Sequence, residues 1–154
     1  QGQWVDAFCS GVLPGMEAGF ELRKQDAADA VAVKTAYLKL VTANATAFGT
    51  AEKKLTELGS PEKDLQQVHD RLLKFVQQSA KSYQDAQAPV EKLEPNAQFW
   101  ESAEKILAEK NQVSSPEDLR ATFQDLQKRP KYADALNKSA PCSEIKSKGQ
   151  DLVR

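Results

Sequence analysis

Apolar positions recur at helical spacing nearly from end to end of the chain, and no segment alternates apolar and polar residues long enough to read as a strand. The clearest stripe is Tyr37, Val41, Asn44, Phe48, Ala51, Leu55 and Leu58, stepping by 4, 3, 4, 3, 4 and 3. That is the seam of a bundle helix, starting near Asp26 and stopped by Gly59. Asn44 interrupts the seam and needs hydrogen-bond partners if it is buried. An earlier helix over about 3–13 puts Trp4, Val5, Phe8, Cys9 and Val12 on one face. Pro14 and Gly15 then predict a bend or break, with 16–25 forming a separate short helix or continuing past a kink.

Ser60-Pro61-Glu62 supplies an N-cap, a first-turn proline and an acid at the positive end of the dipole, so a third helix follows. It carries Leu65, Val68, Leu72, Val76, Ala80 and Tyr83 and is kinked or ended by Pro89. A fourth, over about 96–110, has Phe99, Trp100, Ala103, Ile106 and Leu107 on one side. Ser115-Pro116-Glu117-Asp118 repeats the start signal for a fifth, with Leu119, Phe123 and Leu126, which stops near Arg129-Pro130. Tyr132, Ala135 and Leu136 continue as a short segment, and Ala140-Pro141-Cys142-Ser143 opens a last turn containing Ile145. The fold class expected is all-α: an up-and-down bundle of about four long helices with kinks, forming one domain over 1–146 with a frayed polar tail at 147–154.

Charge removes whole classes of partner. The 154 residues hold 21 Lys plus Arg against 22 Asp plus Glu, and neither half is basic. Nucleic acid is therefore not an expected partner. No apolar run is long enough to span a bilayer. The chain opens at Gln1 and its one Met is Met16, which is expected to reflect a removed signal peptide.

The two cysteines, Cys9 and Cys142, stand 133 positions apart, a spacing with no metal-ligand or redox-motif meaning. They read as one long-range disulfide, with two buried free thiols as the alternative. A disulfide would clasp the two ends of the chain and place the protein in an oxidising compartment.

Side chains suited to catalysis are few. The lone His69 falls one residue from the apolar stripe of its helix, a half-exposed flank position, and its neighbour Asp70 points elsewhere. The acids Asp26, Asp29, Glu117 and Asp118 sit at helix starts, where the dipole accounts for them. No glycine-rich phosphate loop occurs; Gly11, Gly15 and Gly19 have the spacing of a small-residue helix contact, but Pro14 within them favours a loop. Asn44-Ala45-Thr46 fits a glycosylation pattern that falls mid-helix and reads as chance. No metal, cofactor or enzymatic activity is expected. An apolar cavity between helices, lined by residues such as Phe48, Val76, Phe99 and Trp100, is the candidate ligand site.

Three stretches, Trp4-x-x-x-Phe8-Cys9, Leu55-x-x-Leu58-Gly59-Ser60-Pro61 and Ala140-Pro141-Cys142, resemble a family of small secreted proteins and lipoproteins of actinobacteria. The resemblance implies a helical bundle of undefined function, export to the cell envelope or medium, and pairing of Cys9 with Cys142. It also implies that any membrane attachment would come from a lipid ahead of Gln1. The function expected is that of a non-enzymatic exported bundle binding a protein or a cell-wall component. The alternative is a carrier of a small hydrophobic ligand.

Overall fold

A computed structural model describes residues 2–110 and 116–153, and every regular element in them is helical. Three long helices form the frame: α1 (Gly2–Arg23), α2 (Ala30–Leu58) and α3 (Gln66–Glu91). Four shorter ones follow, α4 (Phe99–Lys110), α5 (Pro116–Gln127), α6 (Pro130–Lys138) and α7 (Ala140–Val153). The expected fourth long helix is thus replaced by short pieces. Pro116 and Pro130 each open a new helix, because a missing N–H is tolerated only in the first turn. The last piece is a 14-residue helix rather than a single turn, and it runs past Ser147. Ser115, read as a cap, and the side chain of Leu119 lie outside the described residues.

α2 begins one turn later than Asp26. Asp29 caps it, its carboxylate accepting from the Ala32 N–H at 3.1 Å. Gly59 ends it as expected, with φ of 67° and its N–H donating to the Leu55 carbonyl. At the next junction the Ser60 cap does not form. The Ser60 hydroxyl donates to the Glu62 carbonyl instead, and a short 3-10 turn at Lys63–Leu65 leads into α3.

α1 does not break at Pro14. The proline costs the Ser10 carbonyl its partner, but Ser10 is exposed, where solvent can satisfy that carbonyl. Packing on both sides of the proline holds the helix together. Gly11 and Gly15 are both buried against α2. A Cβ at Gly11 would stand 2.6 Å from the Ala51 Cβ, and one at Gly15 would collide with the Asn44 side chain. The glycine spacing is therefore a helix contact rather than a loop, and α1 and α2 run antiparallel along it.

Two apolar cores result. The upper gathers Trp4, Phe8, Phe48, Leu55, Leu72 and Tyr132, and the lower gathers Leu22, Tyr37, Val41, Val90, Phe99 and Ala103. Cys9 and Cys142 are joined by a disulfide with their Cα atoms 5.1 Å apart, fixing α1 to the start of α7. α7 then follows α1 downward until Lys148 lies 5.9 Å from the centre of the Phe20 ring.

Candidate functional site

The three long helices form a triangle with unequal sides. α1 and α2 approach closely because Ala7, Gly11 and Gly15 face Asn44, Ala47 and Ala51. α1 and α3 are instead held apart by aromatic rings. Phe8 meets Phe75 at 6.2 Å between ring centroids, and the Trp4 indole N–H donates to the Nδ1 of His69 at 2.9 Å. The gap between them is a wedge with α2 at its apex.

At its upper end the wedge is filled. Phe123 from α5 lies 5.2 Å from Phe8, and Tyr132 from α6 lies edge-on to Trp4 at 6.2 Å. His69 is only 4% exposed, not the half-exposed flank residue its spacing predicted. The reason is its bond to Trp4, which lets a polar ring take a core position with the proton on Nε2. Burial pushes its pKa below the usual histidine value, with Asp70 opposing. It is a structural acceptor.

At its lower end the wedge is open. Below Phe75 the facing residues shrink to Gly15, Gly19 and Ser79, and a cavity of about 650 Å³ remains between the two cores. Phe48, Phe75 and Tyr83 form an aromatic wall, with Phe48 stacked on Tyr83 at 12° and edge-on to Phe75. Val12, Met16, Leu40 and Leu107 add apolar surface. Asn44 and Ser79 supply polar groups from deep positions, 5% and 3% exposed. Arg23 and Glu104, both exposed, stand at the mouth. The Glu104 carboxylate accepts a 2.9 Å bond from the Tyr37 hydroxyl. Burial first, then that carboxylate, raise the Tyr37 pKa, and burial raises that of Tyr83, so both remain neutral phenols.

Of the four cavity residues named from the sequence, Phe48 alone lines this space. Val76 is sealed in the upper core and Phe99 in the lower. Trp100 is 47% exposed, its ring edge-on to Tyr37 at 5.6 Å, because the face of α4 turned inward is that of Phe99 and Ala103. Gly15, Gly19 and Ser79 were missed. The glycine spacing was the available signal for two of them, and Ser79 carried none.

A second concavity follows the outer side of the α1–α2 seam. Three adjoining depressions share Pro14 and Ala43, then Ala7, Ser10 and Lys54, and so form one trough. It extends along α2 from Thr35 to Leu58, roughly 35 Å at helical rise. Its widest part, about 1050 Å³, is floored by Ala18, Phe20 and Leu38 and rimmed by Glu17, Glu21, Lys24, Lys39 and Lys148.

Among the described residues there is no cluster of three or more His, Cys, Asp or Glu that would hold a metal, and no helix long and apolar enough to cross a membrane. Asn44 is buried in the seam, so its glycosylation pattern is inaccessible in the folded chain. Comparison with family models, with curated proteins and with solved structures found no match to the chain.

Proposed function

We propose that the chain is an exported, non-enzymatic binding bundle that carries a small, largely apolar ligand in the α1–α3 wedge. The observation that carries this reading is the 650 Å³ space between the two cores, within the size range of ligand sites and lined mainly by aromatic and aliphatic side chains. The Cys9–Cys142 disulfide supports export, since such bonds persist in oxidising compartments. Catalysis is not part of this reading, because burial holds the phenols of Tyr37 and Tyr83 neutral and the Glu104 carboxylate is engaged by the Tyr37 hydroxyl.

The direct test is titration with N-phenyl-1-naphthylamine, a neutral apolar dye that brightens out of water. Saturable binding at one site per chain is expected. Gly19→Leu is expected to abolish it without unfolding the protein, because a Cβ at Gly19 meets only the Leu40 Cδ1, at an ordinary 4.0 Å, and the position lines the cavity. A dye that fails to saturate, or that binds Gly19→Leu equally well, removes the carrier reading.

The trough favours a second reading, docking of a protein or a cell-wall component along the seam. Co-sedimentation with isolated cell walls that is lost in Thr46→Glu, an exposed position lining the trough, while dye binding is kept, would support it. Absence of co-sedimentation in the unaltered chain would remove the cell-wall partner.

A further inference from the structure

We infer that the wedge selects a neutral amphipathic molecule whose hydroxyl or carbonyl head is hydrogen-bonded by Asn44 and Ser79. The inference rests on the carrier reading and adds a ligand class to it. Both side chains are more than nine-tenths buried, both line the cavity, and neither has a hydrogen-bond partner among the described residues. Buried polar groups in folded proteins are paired as a rule. The contrast lies one turn along the same helix. Ser82, also lining the cavity, donates from its hydroxyl to the Lys110 carbonyl at 2.9 Å and is satisfied within the protein.

The chemistry of the two groups narrows the ligand. An amide offers two donors and an acceptor, and a hydroxyl one donor and two acceptor sites. Together they match a group that accepts, or one that both donates and accepts. They do not match an ion. Arg23 and Glu104, the charged residues of the lining, are of opposite sign and lie at the exposed mouth, and Glu104 already holds the Tyr37 hydroxyl. A carboxylate or an ammonium drawn in to Asn44 and Ser79 would lose its water with no counter-charge beside it. Asn44 projects from α2, the apex of the wedge, so the polar head sits deepest. The apolar body then lies against Phe75, Met16 and Leu107.

The test is displacement of N-phenyl-1-naphthylamine from the intact, disulfide-bonded chain by three ligands of equal chain length, 1-decanol, decanoate and decyltrimethylammonium. Decanol is expected to displace the dye at a concentration about tenfold or more below that of either ion. Ser79→Ala is expected to weaken decanol by about fivefold to tenfold relative to the dye, each affinity being measured on the same variant. Asn44→Ala provides the same reading should Ser79→Ala fold poorly. If the ions compete as well as the alcohol, or if both variants keep the full preference for alcohol, the head-group assignment is overturned while dye binding preserves the carrier reading. If the dye does not bind at all, both fall together.

Discussion

α1 meets its two long neighbours in opposite ways. Against α2 it presents Ala7, Gly11 and Gly15, and the helices close until a single added methyl at Gly11 would overlap Ala51. Against α3 it presents Trp4 and Phe8, and the helices stand off by the thickness of aromatic rings. A seam of small residues leaves no interior space, because backbone packs on backbone. A seam of large residues creates space wherever the large residues are interrupted, and here Ser79 interrupts them between Phe75 and Tyr83. The cavity follows from that mismatch: α1 switches from rings to Gly15 and Gly19 while α3 changes from Phe75 to Ser79, and the separation set above persists below.

The clasp that ties α1 to α7 should give the largest effect. Removing it as Cys9→Ala with Cys142→Ala frees a loop of 133 residues in the unfolded chain, a loss of up to about 5 kcal/mol in the chain-entropy account. Urea denaturation measures it. An unchanged midpoint would show that the bond does not stabilise the fold. The rings of the wide seam come next. Trp4→Ala deletes a side chain only 2% exposed and strands the Nδ1 of His69, at an expected cost of about 3–5 kcal/mol. The narrow seam should fail differently, by overpacking. Gly11→Val forces α1 off Ala51 and is expected to cost about 1–3 kcal/mol, with the larger change in dye binding, since the wedge shifts with α1. If Trp4→Ala proves milder than Gly11→Val, the ranking of the two seams is reversed.

The same contrast sets how much of the molecule was legible. The stripe from Tyr37 to Leu55 is buried as its spacing demands, because a helix face packed along its length, here across both cores, needs nothing more than periodicity. The Cys9–Cys142 bond was legible because few alternatives exist for two cysteines. What the pattern concealed were the places where one helix overrides the local preference of another. Pro14 argues locally for a break, and only the burial of Gly11 and Gly15 against α2 explains why none occurs. Leu58 belongs to the stripe by spacing yet is 43% exposed, because α2 outlasts the core it packs on. His69 looked peripheral because its partner Trp4 lies 65 positions away. The cavity was expected among large side chains alone, whereas it formed where an aromatic wall of Phe48, Phe75 and Tyr83 faces Gly15 and Gly19.

His69 also gives the closed end of the wedge a pH signature. Burial holds its folded pKa below the ordinary 6.5, so the unfolded chain binds the proton more readily. The stability from neutral His69 is complete above about pH 6.5 and is lost as pH falls through the lower folded value. The slope from this group is bounded by about 1.4 kcal/mol per pH unit, the one-proton limit. Denaturation midpoints across pH 7 to 5 should therefore fall in the unaltered chain. They should fall less in His69→Gln, whose amide oxygen can still accept from Trp4. Parallel curves for the two proteins would mean that the imidazole is charged without cost, and that the upper end is not sealed.

The smallest effect should separate the three glycines of α1, which look equivalent by spacing. Gly11 and Gly15 are pressed against α2, but a Cβ at Gly19 meets only the Leu40 Cδ1, at an ordinary 4.0 Å. No close approach requires glycine there, and none of the three has a positive φ. Alanine is favoured over glycine in a helix interior by up to about 1 kcal/mol, so Gly19→Ala should stabilise the fold by about 0.5–1 kcal/mol. Gly15→Ala should destabilise it, because the new methyl displaces Asn44, a residue buried with nowhere to move except the cavity. Opposite signs at two positions four residues apart would locate the point where the close seam ends and binding space begins. A destabilising Gly19→Ala would mean that the seam extends a turn further and that the space beside Gly19 is narrower than its lining implies.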